Sequence, residues 1–220
     1  MNTQYLNVPL YIWISFFISI PLFKFFGEID LYIAHLFYKD NDFFLNGTLV
    51  ETFFHVSIRP LIIIVIVVSF AIFFYNRYYK KELLNLTKRK LLYIFLVLAL
   101  APGLIINLFL KEGFERPRPK QIIEFNSKKE FYPAYTITNQ GKDSFSSGHV
   151  AAAFSLLGLA MLAQRRRAFW MNLVLVYGVG MMIARMSAGA HFFSDVVTSF
   201  FIVYIANNIL YKYLIEKKEE

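Results

Sequence analysis

Long uncharged stretches, each closed by a cluster of charged residues, set the pattern of this chain. Six occur, at residues 8–23, 52–75 (interrupted only by His55 and Arg59 near its start), 91–110, 150–164, 168–184 and 196–211. A helix that rises 1.5 Å per residue needs about 20 apolar residues to cross a bilayer, so each is a candidate span. The last three are shorter and need flanking residues, tilt or a thin bilayer. Pro102-Gly103 is predicted to weaken or kink the third span, which neighbouring helices can tolerate by satisfying the freed carbonyls. Residues 29–38, with Ile29, Ile33, Leu36 and Phe37, predict an amphipathic helix lying on the outer leaflet, with His35 as an interfacial histidine. The expectation is an all-α polytopic protein, a six-helix transmembrane bundle forming one domain over residues 1–220.

Charge between the spans sets their direction, because cytoplasmic connectors carry the Lys and Arg excess. Arg77, Lys80, Lys81, Lys88, Arg89 and Lys90 follow span two, Arg165, Arg166 and Arg167 follow span four, and Lys212, Lys217 and Lys218 follow span six. Those faces read as cytoplasmic. Residues 27–51 carry Glu28, Asp30, Asp40, Asp42 and Glu51 against Lys39, as an external loop does. Both termini are therefore expected inside, and with no basic region before span one, that span is expected to stay uncleaved. Residues 111–148 must face outward, yet they hold seven basic residues against five acidic ones. A long loop can translocate regardless of charge; the other reading commits some of these cations, Lys142 among the seven, to an anionic ligand.

Composition narrows the choice. Hydrophobic residues make up 57% of the 220 and charged residues only 17%, below the roughly 25% of soluble domains. The mean hydropathy of +0.49 then requires a bilayer as solvent. The absence of Cys excludes disulfides, Cys-ligated metals and Cys nucleophiles. The net charge of +8 lies in short inner connectors, which read as topology signals and anionic-lipid contacts, not as a nucleic-acid surface.

Alternation brings three polar clusters to one outer face: residues 111–118, 146–149 and 185–195. Lys111, Arg118 and Arg185 offer an ammonium and two guanidinium forks that match phosphate oxygens. Ser147 and Gly148 open the fourth helix, where free N–H groups favour an anion. His191 and Asp195, four residues apart, share a helical face, so the carboxylate can orient the imidazole as a nucleophile; His149 can donate a proton to a departing alkoxide. Arg116 either touches the phosphate or meets lipid head groups. His55 and Arg59 share a face near the outer interface, as contacts to a second phosphate or sugar or as interfacial snorkelling residues.

The spacing Lys111-EGFERP-Arg118-Pro119, Ser147-Gly148-His149 and Arg185-MSAGA-His191-FFS-Asp195 resembles the three-part signature of the type 2 phosphatidic acid phosphatase superfamily over residues 111–195. Two positions depart from it: Ser146 stands for the usual Pro, and Ala184 for the usual Ser. The resemblance implies a metal-independent lipid phosphatase with no cofactor. In it His191 forms a phosphohistidine, Asp195 orients it, His149 is the acid and then the base, and Lys111, Arg118, Ser147, Gly148 and Arg185 hold the phosphate. The string Arg185-MSAGAHFFSDV, Phe125-Asn126 and His55-VSI-Arg59 further resemble the lipid A 4′-phosphatases of Gram-negative bacteria. That implies a lipid substrate in the inner membrane and a periplasmic site, with undecaprenyl pyrophosphate and phosphatidylglycerol phosphate as alternative substrates. A reading of another class is a non-enzymatic lipid-phosphate binder or transporter, though a transporter places its ionisable groups near the midplane. Nothing in the sequence sets the oligomeric state.

Overall fold

The computed structural model describes residues 3–141 and 144–216; Lys142, Lys217, Lys218 and the rest of the C-terminal tail lie outside it. Helices α1 (Leu10–Phe25), α2 (Glu28–Leu36), α3 (Leu49–Tyr79), α4 (Lys88–Ala99), α5 (Lys111–Phe114), α6 (Gly148–Met161), α7 (Arg167–Ser187) and α8 (Phe193–Leu214) make a helical membrane bundle. All six apolar stretches are helical over most of their length, residues 8–9 and 162–164 excepted. Those of α3, α7, α8 and the run Lys88–Gln121 are long and apolar enough to cross a bilayer, and α1 and α2 qualify together as a pair bent by 88°. With 14 residues, α6 is about 21 Å long, short of a hydrocarbon core of roughly 30 Å. The count of six crossings therefore stays an expectation.

Two features differ from a purely helical reading. The hairpins β1 (Gln4–Tyr5) with β2 (Val8–Pro9) and β3 (Tyr38–Lys39) with β4 (Asp42–Phe43) are antiparallel. Each closes through two residues at positive φ, Leu6-Asn7 and Asp40-Asn41, the twist that a two-residue hairpin needs. Pro102 lies in a π-helical segment, Leu100–Leu110, that joins α4 to α5 without a break. Proline has no N–H to offer the ladder, and the weakening expected at Pro102-Gly103 takes the form of this wider π turn.

Helix α6 is buried nearly all round and forms the centre of the bundle. Tyr93 and Val97 of α4, Ile58 of α3, Met181 of α7, and Val196 and Val203 of α8 pack on it. Glycine permits the closest approaches: a Cβ at Gly158 would lie 3.0 Å from Val97, and one at Gly178 only 2.6 Å from the Phe154 ring. The outer surface is the reverse. Only 6% of the apolar stretch of α3 is buried, leaving Ile63, Ile64, Val67 and Val68 exposed, as lipid-facing positions should be.

Because the long helices alternate in direction, Glu51, Lys111, Gly148 and Ser187 all fall at one end of the bundle, and Arg77, Lys90 and Arg165 at the other. Helix α2 folds across the first end. Its Ala34 joins Phe43, Ile122, Phe125 and Phe192 in a satellite core beside the site.

Candidate active site

Each of the three clusters reaches the site by a distinct local device. Lys111 begins α5, directly on the π segment. Ser147 caps α6, its Oγ accepting from the Val150 N–H at 3.5 Å, so that the first N–H groups of the helix face the same end. The third cluster turns on Gly189, at φ +60, where a Cβ would run into the Phe43 ring. Through that turn the His191 and Ala190 N–H groups both donate to the Arg185 carbonyl, at 3.2 and 3.0 Å. Lys120 N–H donates to Gly189 O and Leu45 N–H to Ser187 O, both at 3.1 Å, pinning the turn from outside.

His191 lies in this turn, before α8 begins, so its pairing with Asp195 does not come from a shared helical face as the i, i+4 spacing suggested. The partnership arises because Asp195 occupies the first turn of α8 and reaches back. Its Oδ2 accepts from Phe192 N–H at 2.8 Å and from Ser144 Oγ at 2.5 Å, and lies 3.7 Å from His191 Nδ1, just beyond hydrogen-bond length. With Nδ1 turned to Asp195, Nε2 is on the opposite side of the ring.

The charges of Lys111 and Arg185 act on His191, that of Arg118 acts on Arg185, and Arg185, Arg59, His55 and His191 all act on His149. A cavity of about 250 Å³ between α3, the π segment and α6 has Arg59, Lys111, Gly148 and His149 as its polar lining and Ile58, Ile62 and Leu98 among its apolar one. The structure thus brings Lys111, Arg118, Ser147, Gly148, His149, Arg185, His191 and Asp195 together.

His55 and Arg59 join them. The His55 ring lies 4.7 Å from that of His149, edge to face, and 3.1 Å separates His55 Nδ1 from Arg185 Nη1. Arg116 is placed differently from either expectation. It is 1% exposed and turned inward, donating from Nη1 to Asp195 Oδ1 at 2.7 Å, from Nη2 to Asp30 Oδ2 at 2.8 Å and from Nε to Tyr132 O at 2.8 Å. A guanidinium committed to two buried carboxylates contacts neither phosphate nor head group. Phe125 is core, and Asn126 bonds Tyr38 Oη and Asn41 Oδ1, so that pair packs the loop and stays out of the site.

Glu51, Asp30, Ser144 and Ser194 escaped the sequence reading. Glu51 Oε1 accepts from Arg185 Nη1 at 2.8 Å and lies 3.4 Å from His55 Nδ1. Its signal was present, since Glu51, His55 and Arg59 are spaced by four along one helical face. Asp30 and Ser144 carry no comparable local mark.

The unpaired groups point to the ligand. Among the described residues, the buried side-chain atoms with no hydrogen-bond partner are Ser146 Oγ, His149 Nε2, Arg185 Nε, Ser187 Oγ, His191 Nδ1 and Asn207 Oδ1. His191 Nδ1 faces Asp195, and Ser146 Oγ, His149 Nε2, Arg185 Nε and Ser187 Oγ are on the motif residues or beside them, where an anion with several acceptor oxygens would satisfy them. Ser146, in place of the family's Pro, adds a buried hydroxyl there, whereas the methyl of Ala184 is buried and adds none. No group of three His, Asp or Glu side chains suited to a metal is gathered among the described residues.

Comparison with known proteins agrees in extent with this geometry. Residues 90–219 match the PAP2 superfamily. A lipid A 4′-phosphatase of Francisella tularensis subsp. novicida (strain U112) is 33% identical over 225 residues, an alignment that covers 97% of this chain and 96% of that protein. No solved structure matches.

Proposed function

The chain is a phosphatase of the PAP2 superfamily, and from that premise we propose that it removes the 4′-phosphate of lipid A, or of its precursor, at the periplasmic face of the inner membrane. In this reading the chain crosses six times with both termini in the cytoplasm. The observation that carries the phosphate site is the set of buried donors without partners around His191 and His149. The similarity of the Francisella enzyme along nearly the whole chain carries the choice of lipid, and the cavity, cationic on one part of its wall and apolar on the rest, suits an amphiphile.

The reaction runs in two displacements. The His191 Nε2 lone pair forms the N–P bond as the P–O bond to the sugar breaks, and the departing oxygen takes a proton from His149. The ring, now cationic, holds its Nδ1 proton toward Asp195. Water then attacks phosphorus, gives a proton to His149, and the P–N bond breaks to release inorganic phosphate and neutral His191. Lys111, Arg118, Arg185, the Ser147 hydroxyl and the Gly148 amide stabilise the equatorial oxygens where charge accumulates. Cations and imidazoles do this work, so no metal is required.

The test is phosphate release by detergent-purified protein in EDTA from lipid A, undecaprenyl pyrophosphate, phosphatidylglycerol phosphate and phosphatidate, with His191→Ala alongside. Selective loss of one phosphate from lipid A, inhibited by vanadate and reduced at least about 10³-fold in His191→Ala, is the expected result. Preference for another lipid discards the substrate; strong inhibition by EDTA, or turnover retained without His191, discards the mechanism. Binding without turnover of any lipid returns the chain to the binder class.

A further inference from the structure

Beneath His191 lies a charged cluster of which the reaction, as written, uses one member. Asp30 and Arg116 are each 1% exposed and Asp195 is fully buried. Arg116 stands between the two carboxylates, and its guanidinium faces the Phe192 ring with Cζ 4.2 Å from the centroid, so it is held from three sides. Ser194 ties the far side: its N–H donates to Asp30 Oδ1 at 2.8 Å, and its Oγ accepts from Arg116 Nη1 at 2.9 Å and donates to Asp30 Oδ2 at 2.5 Å. Ser194 N–H and Arg116 Nη2 can only donate, and together with the Arg116 charge they hold Asp30 toward its ionised form against burial, which pushes its carboxyl above the ordinary range. Asp30 comes from α2, outside residues 90–219 and outside the three motifs.

Two carboxylates around one guanidinium leave the cluster with one negative charge. With Asp195 alone, Arg116 would neutralise the carboxylate that His191 needs when its ring turns cationic. With Asp30 sharing the guanidinium, Asp195 keeps Oδ2 clear of Arg116, held by Ser144 Oγ and Phe192 N–H and directed at His191 Nδ1. The cluster then becomes neutral as the phosphoryl group transfers, which favours that step over the resting state.

We propose that Asp30 is a positioning residue for the reaction: by sharing Arg116 with Asp195 it keeps one negative charge available to the imidazolium that forms on His191. The role rests on His191 being the nucleophile. It also explains why the chain folds α2 back across the site, since Asp30 reaches both Arg116 and the first turn of α8 from there.

The experiment uses the full chain in detergent with the lipid of the panel that it cleaves fastest. Asp30→Asn keeps the shape and can still accept from Ser194 N–H. The expected result is a kcat lowered about 10–100-fold, the range for partners that act through an orienting group, with KM changed less than about twofold. A purely structural Asp30 would lower yield and Tm and leave kcat per folded molecule unchanged; that outcome overturns the proposal. Should Asp30→Asn fail to fold, Asp30→Asn/Arg116→Gln removes the buried pair together. In that variant Asp195 alone supplies the same single negative charge to His191, so kcat per folded molecule is expected within a few-fold of wild type; a kcat lowered tenfold or more in the folded double variant overturns the proposal. The other charged and titratable groups whose fields reach His191 or share its site, Arg185 on α7, Lys111 on α5 and His149 on α6, are the same in all variants. His191→Ala separates the two levels. If it is inactive while Asp30→Asn keeps the wild-type kcat, Asp30 alone loses its role; if it still turns over, the nucleophile falls and the Asp30 role with it.

Discussion

At the scale of single residues, His191 is held neutral mainly by burial, which brings its imidazole down to about 4 against the favourable pull of Asp195, with Arg185 and Lys111 pushing the same way as burial. The imidazole to which we assign the attack therefore stays unprotonated well below the ordinary imidazole range. The acid limb of kcat/KM for phosphate release is expected near pH 4; a limb near 6.5 would show a His191 that is open to water in solution. The sign for stability follows from the same shift. Between about 6.5 and 4 the unfolded chain binds a proton that the folded chain refuses, so the contribution of the neutral ring is complete above that window and declines as pH falls through it. Arg116 makes a separate case. Arg116→Ala leaves Asp30 and Asp195 buried without a counter-ion and should cost about 3–5 kcal/mol, read as a large drop in Tm in detergent. A small drop would mean that water reaches the carboxylates. The residues to which we assign the chemistry were legible in the sequence because their types and spacings are themselves the signal. Their supports were not. Asp30 and Glu51 meet Arg116 and Arg185 across separations of 86 and 134 residues, and no local pattern encodes such a meeting.

At the scale of elements, the π segment Leu100–Leu110 delivers Lys111 to the cavity it shares with Gly148 and His149. A π turn carries an extra residue, so relaxing it to an α-helix rotates everything that follows about the helix axis. Pro102→Ala, which restores the missing N–H, is expected to turn Lys111 away and raise KM about tenfold, with kcat less affected. An unchanged KM would show that α5 is oriented by its packing alone. Hydropathy revealed the helices because lipid-facing stretches are long and leave a continuous apolar run. It could not reveal the hairpins, whose two-residue strands are too short to alternate. Nor could it show the 88° bend before α2, which depends on Gly27 lying against Pro133, where a Cβ would be 2.9 Å from Cγ. The spacing of His191 and Asp195 led to the correct neighbours by an incorrect route, because i, i+4 looks the same whether the first residue is in the helix or in the turn before it.

At the scale of the whole molecule, the bundle separates charge. The basic connectors meet at one end, where Lys90 and Arg165 border an apolar cavity of about 430 Å³ with Trp170, and the site occupies the other end. Since the chain has no Cys, single cysteines report sidedness without background. With the site periplasmic, Lys128→Cys should react with an impermeant maleimide in spheroplasts and Lys80→Cys only after lysis; the reverse pattern would invert the topology. The Glu51–Arg185 bond bears on what the molecule must do in such a setting. A phosphate that approaches Arg185 meets a guanidinium whose Nη1 is already paired with a carboxylate while its Nε is open, and it does so in a membrane built of phosphodiesters, each carrying a single charge. A monoester dianion gains more from a half-neutralised guanidinium than a singly charged diester, which gives up its hydration for less. On the proposed function, that pairing sets a threshold which the bulk diester lipid meets less easily than a monoester does.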